Sequence, residues 1–129
     1  IVDDNADVLD IISQIVATHT TLTPLKAASG KEGLQILDQT PVDVILLDLS
    51  MPNMDGIEFF QIIRNKSVMA PVIFLTGKGD NEIKEKAFEL GAFDFLPKPT
   101  KASDLLILID EAFKVVGKIR DIIAKRESA

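Results

Sequence analysis

The chain has 129 residues, 47% of them hydrophobic and 26% charged, with a formal charge of −6 at pH 7. That length suits one domain with a sizeable core, and the balance of apolar to charged residues excludes a disordered chain. The absence of cysteine excludes disulfides, thiolate metal sites and thiol catalysis, while the acidic balance argues against direct nucleic-acid binding by this segment.

Ile1-Val2 reads as the end of a first strand, followed by Asp3-Asp4-Asn5. Only those two residues precede Asp3, against roughly 5–6 in an ordinary strand, so further apolar residues are expected upstream. Val8, Ile11, Ile12, Ile15 and Val16 give a first helix its apolar face, with Asn5 or Asp7 as its cap. Leu22 to Ala28 reads as a second strand, placed at a sheet edge because Pro24 cannot donate to a ladder. Gly30 to Asp38 has helical period. Val42 to Leu47 is a branched, apolar third strand that ends at Asp48. A loop from Ser50 to Gly56 leads to a third helix carrying Ile57, Phe60, Ile62 and Ile63. Pro71 to Leu75 is a fourth strand ending at Thr76, and Asn81 to Leu90 a fourth helix stopped by Gly91. Phe93 to Leu96 forms a short fifth strand before Pro97-Lys98-Pro99, and Ser103 caps a last helix running towards Glu127. No apolar run approaches a membrane span, and a cytoplasmic protein without membrane contact is expected.

Five apolar strands alternating with helices imply an α/β domain: a doubly wound five-stranded parallel sheet, order 2-1-3-4-5, with helices on both faces. In that order the polar strand ends converge on the rim where open parallel sheets bind ligands: Asp3 and Asp4, then Asp48, Thr76 and Lys98. Three carboxylates brought together repel, and the pKa of at least one rises unless a cation intervenes. Hard oxygen ligands on a watery rim suit Mg²⁺. The metal and the Lys98 ammonium then balance the three acids, so that Asp48 can receive a phosphoryl group. Its oxygens need donors, which the Thr76 hydroxyl and the N–H groups after Asp48 can supply.

Asp3-Asp4, the run Asp48-Leu49-Ser50-Met51-Pro52-Asn53-Met54-Asp55-Gly56, Thr76-Gly77, and Gly91-Ala92 leading to Phe95-Leu96-Pro97-Lys98-Pro99 resemble the signature of a response-regulator receiver domain. The resemblance covers residues 1–115 and implies a phosphorylation-dependent switch in a two-component phosphorelay. It implies that Asp48 is the phosphoacceptor, charged from a phosphohistidine on a sensor histidine kinase or histidine phosphotransfer protein. Asp4, Asp48 and the backbone carbonyl of Ser50 would ligate Mg²⁺, with Asp3 mostly acting through water. Lys98 would pair with the phosphoryl oxygens, its bond to Pro99 being cis, and Gly56 would be structural. Thr76 would turn towards the phosphate and Phe95 would move inward. The surface of the fourth helix, fifth strand and fifth helix would then control an output domain or partner. Such a domain is no enzyme in its own right and catalyses only its own phosphotransfer and dephosphorylation.

Other assignments fit the residues less well. A phosphatase of the haloacid-dehalogenase kind needs a second acid two residues after its nucleophile, where this chain has Ser50. A flavodoxin-like FMN carrier would set its phosphate against Asp3-Asp4, and the chain has no Trp or Tyr to stack a flavin. A receiver-shaped module that is never phosphorylated has no use for the full acid cluster with Thr76 and Lys98. Phe95 reads equally as a core aromatic or a switch, and Phe93 is expected on the same strand face. His19 reads as a surface residue, and Met51, Met54 and Met69 as packing or turn residues. In the last helix Leu105, Ile109, Ala112, Val116, Ile119 and Ile123 keep spacings of 4, 3, 4, 3 and 4, the pattern of a coiled-coil seam. Residues 116–129 therefore read as an extension beyond the receiver. Either it frays, or Val116, Ile119, Ile122 and Ile123 meet a second copy as a homodimer or lead to an output domain.

Overall fold

In the computed structural model, which describes residues 1–128 and the side chains of residues 1–118, branched apolar residues form three regular parallel strands. They are β1 (Ile45–Asp48), β2 (Val72–Thr76) and β3 (Asp94–Pro97), paired in that order with Leu47, Phe74 and Phe95 in register. On the other flank of β1, Val2 bridges both Leu47 and Ala27 in parallel. One row therefore runs Ala27, Val2, Leu47, Phe74, Phe95, which is the 2-1-3-4-5 order. The two segments beside β1 are single bridges rather than the strands expected over Ile1-Val2 and Leu22 to Ala28. Two residues ahead of Asp3 offer one bridge to each side, and Pro24 brings no N–H to extend the edge.

Five helices cover this sheet: α1 (Ala6–His19), α2 (Gly30–Gln39), α3 (Gly56–Asn65), α4 (Asn81–Glu89) and α5 (Ala102–Ser128). Side chains alternate along a strand, and both faces of this sheet are apolar. Ile45, Leu47, Val72 and Phe74 pack with Ile57, Phe59, Phe60 and Ile63 of α3 and Ala87 of α4. Leu46, Ile73, Leu75 and Leu96 pack with Ile12 and Val16 of α1 and Leu105, Ile109 and Ala112 of α5. Among the described residues no helix is long and apolar enough to cross a membrane.

Tertiary packing corrects several local expectations. In α1 it is Leu9, Ile12 and Val16 that are buried, and Ile11 is 56% exposed. Phe59 joins Phe60 in the core because the sheet reaches both sides of that turn of α3. Ser103 lies inside α5 and is not its cap; the Leu105 N–H bonds the carbonyl of Lys101, which stands at the cap position. Phe93 and Phe95 pack against opposite clusters, because β3 begins only at Asp94 and its alternation does not reach Phe93. Asn5 does cap α1, accepting from the N–H groups of Asp7 and Val8, and His19 is exposed. Gly91, at φ 102°, follows α4 in the left-handed conformation that glycine tolerates.

Gly56 opens α3 directly beneath the end of β1. A methyl group there would lie 2.6 Å from the carbonyl oxygen of Asp48 and 2.9 Å from Cα of Leu49, both backbone atoms that cannot step aside. Gly56→Ala is expected to destabilise the fold by about 2–3 kcal/mol through overpacking. Thermal unfolding will measure it, and an unchanged midpoint would contradict the close approach.

Candidate functional site

Strand ends place each polar side chain. Asp3 follows the Val2 bridge, Asp48 ends β1, Thr76 ends β2 and Lys98 follows β3. Backbone bonds hold these ends side by side: the Asp48 N–H donates to Val2 at 2.8 Å, and the Lys98 N–H to Thr76 at 2.7 Å. The Lys98–Pro99 bond is cis. Asp3, Asp48 and Thr76 are buried, while Asp4 is exposed at the rim. One carboxylate oxygen from each of Asp3, Asp4 and Asp48 lies within 4.8 Å of the other two. The Lys98 ammonium sits 2.7 Å from Asp3 Oδ2 and 3.2 Å from Asp48 Oδ1.

Backbone donors complete the first contacts. Asn5 N–H reaches Asp3 Oδ1 at 2.9 Å, and Ser50 N–H reaches Asp48 Oδ1 at 3.3 Å. Asp3 Oδ2 is enclosed and, apart from the nearby ammonium, has no well-directed hydrogen bond. Burial, and then the charge of Asp3, push the Asp48 carboxyl up from 3.8 to about 6, against a smaller opposing pull from Lys98 and the Ser50 N–H. For Lys98, burial disfavours the ammonium, but the hydrogen bond to Asp3 and the charges of Asp48 and Asp3 outweigh it. Its pKa rises above 10.5.

One ammonium is thus too little for three acids, two of them buried. The excess negative charge, the underused Asp3 oxygen and the all-oxygen donor set fit a hard divalent cation, and the exposed Asp4 leaves room for its waters.

Thr76 and Phe95 face away from the acids. The Thr76 hydroxyl donates to the Leu96 carbonyl at 3.3 Å. The half-buried Phe95 ring stacks on Phe74 at 6.0 Å, and Phe74 in turn on Phe60 at 5.7 Å, with Lys84 Nζ 5.1 Å from the Phe95 centroid. Sequence reasoning passed over Asp80. Its Oδ1 accepts from the Ser50 hydroxyl at 3.0 Å and its Oδ2 from the Gly77 N–H at 2.7 Å. The only local signal was a residue of capping type ahead of α4.

Comparison with known proteins follows the same residues. A profile of the response regulator receiver domain matches residues 1–110. The probable cyclic di-GMP phosphodiesterase of Vibrio cholerae serotype O1 is 44% identical over 101 residues, 77% of this chain and 22% of that protein. The DNA-binding transcriptional regulator NtrC of Klebsiella pneumoniae is 35% identical over 112 residues, 87% of this chain and 24% of that protein. The chain therefore spans about a quarter of the length of these curated relatives. The crystal structure of a response regulator receiver domain protein from Clostridium thermocellum superposes with a TM-score of 0.86 at 32% identity, covering 92% of this chain and 94% of that one. With the match running through all four strand ends that build the acid pocket, the chain belongs to the family of response regulator receiver domains.

Proposed function

We propose that Asp48 is the phosphoacceptor of this receiver domain and that Asp3, Asp4, Asp48 and the Ser50 carbonyl hold Mg²⁺. The donor is a phosphohistidine on a sensor histidine kinase or histidine phosphotransfer protein, in the cytoplasm. The observation that supports this reading is the shared rim: Lys98, fifty residues beyond Asp48, lies 2.7 and 3.2 Å from two of the clustered acids.

In the transfer, a carboxylate oxygen of Asp48 bonds to phosphorus as the donor's P–N bond breaks, and the electron pair leaves on the imidazole nitrogen. Bound Mg²⁺ supplies charge neutralisation to the phosphoryl oxygens. Lys98 exchanges its contact with Asp48 for a phosphoryl oxygen. The Thr76 hydroxyl gives up the Leu96 carbonyl for another, and Phe95 and the surface of α4, β3 and α5 respond. Only such differential contacts shift a two-state equilibrium. Ser50, two residues past Asp48, supplies no general base, so the acyl phosphate persists and the domain works as a switch rather than a turnover enzyme.

Acetyl phosphate with Mg²⁺ is expected to add one phosphoryl group to the wild-type chain by intact mass, and a chelator to prevent it. An unmodified wild-type chain would instead favour a receiver-shaped interaction module.

Residues 116–129 are proposed as an extension that pairs two copies or leads to an output domain. α5 is helical to Ser128, yet its last buried side chain among the described residues is Ala112. The side chains of Ile119, Ile122 and Ile123 lie outside the described residues. Light scattering on chains ending at 115 and at 129 is expected to show a monomer and a dimer respectively; two monomers would remove the pairing role.

A further inference from the structure

Asp80 stands outside the acid cluster yet holds two donors beside it. The first three helices each open with a side-chain cap: Asn5 on the N–H groups of Asp7 and Val8, Ser29 on that of Glu32, and Asp55 on that of Glu58. α4 opens with Asp80, a residue of the same capping type, but its carboxylate makes no cap bond. It reaches across to Ser50 and Gly77 instead. Ser50 already touches the Asp48 carboxylate through its N–H, and Gly77 directly follows Thr76. An anion therefore ties together the two loops that flank the Asp48 pocket.

We propose that Asp80 is a positioning residue for phosphoryl transfer: a resident anion that holds the Gly77 N–H and the Ser50 hydroxyl until a phosphoryl group on Asp48 displaces it. This rests on the reading of Asp48 as phosphoacceptor. A hydrogen bond from a backbone N–H to a carboxylate is charge-assisted and strong. An aspartyl phosphate bears close to two negative charges and strong acceptor oxygens. It competes for the Gly77 N–H and repels the Asp80 carboxylate. Once released, Asp80 already stands at the cap position of α4. There the N–H groups of Glu82 and Ile83 need acceptors and the helix dipole favours a negative charge. The arrival of the phosphoryl group is thereby converted into a new arrangement at the start of α4. Asp80 works through Ser50 and Gly77.

Beryllofluoride, a non-covalent stand-in for the phosphoryl group, separates this role from a merely structural one. Wild type, Asp80→Ala and Asp80→Asn are titrated with it at saturating Mg²⁺ and followed by amide NMR. The half-saturating concentration is expected to fall roughly three- to tenfold in Asp80→Ala, with Asp80→Asn between it and wild type. In metal-free protein, before any beryllofluoride is added, the Gly77 N–H of both variants is expected to exchange faster than in wild type. Asp80→Asn keeps the side-chain shape and carries the test if the alanine variant does not fold. Half-saturation equal to or weaker than wild type, in a folded variant, would overturn the role of Asp80 and leave the phosphoacceptor reading intact. A wild-type chain that does not respond to beryllofluoride would overturn that reading and this inference together.

Discussion

Asp48→Asn is expected to abolish phosphorylation by acetyl phosphate and, without metal at pH 7, to make the chain more stable than wild type. Loss of the acceptor oxygen explains the first effect. The second follows from the Asp48 carboxyl, which burial and the neighbouring Asp3 charge raise from 3.8 to about 6. The folded chain thus binds this proton more tightly than the unfolded chain. The contribution is fully present below about pH 4, falls as pH rises towards 6, and is lost above it. At pH 7 the ionised carboxylate therefore costs on the order of 3 kcal/mol, which the isosteric amide avoids. Thermal unfolding in chelator at pH 7 and at pH 4 is the measurement. The variant's advantage should be present at pH 7 and close up at pH 4. Mg²⁺ should then stabilise wild type far more than Asp48→Asn, since it relieves a repulsion the variant lacks. A variant less stable than wild type at pH 7 would mean that the acids do not repel as described.

Lys98→Ala is expected to act in the opposite direction. The ammonium lies 2.7 Å from Asp3, whose side chain is wholly buried, and 3.2 Å from Asp48. Removing one partner of a buried pair leaves an uncompensated charge and costs roughly 3–5 kcal/mol. Denaturant unfolding of the metal-free protein at pH 7 should show that loss. Mg²⁺ should recover part of it, because the acids that bind the ion remain. The response to beryllofluoride should be weaker than in wild type, since a phosphoryl oxygen loses its cationic partner. A loss below about 1 kcal/mol would place the pair with exposed ion pairs. An undiminished response would remove Lys98 from phosphate recognition.

These opposite signs share one cause, an excess of buried negative charge that a single lysine does not offset. The prediction for Gly56 rests on something different, the close approach of two backbone segments. It leaves the acids in place and should not alter the pH dependence.

Much of the site was legible from residue order. Asp48 and Thr76 close apolar, branched runs, and a parallel sheet delivers the ends of all such runs to one rim. Asn5 was legible as a cap because capping depends on residues within one turn. Orientation was less accessible. Leu9 and Ile11 are both apolar, and only contact with the sheet and α5 decided that Leu9 faces inward. Phe93 and Phe95 obey period two on paper, but β3 starts between them, so they pack on opposite faces of the sheet. Thr76 was legible as a strand-end hydroxyl, and its present bond to Leu96, twenty residues away, was not.

Local pattern by itself therefore determined the α/β alternation, the strand order and the acids, hydroxyl and amine that meet at the rim. Propensity, capping and side-chain period act over a few residues and are written in them. Tertiary structure alone decided that Ser50 meets Asp80 thirty residues later, and that Asp80 leaves α4 uncapped to hold Gly77. Which of several available partners a polar side chain takes is set by where distant loops come to rest, and no short stretch of sequence carries that information.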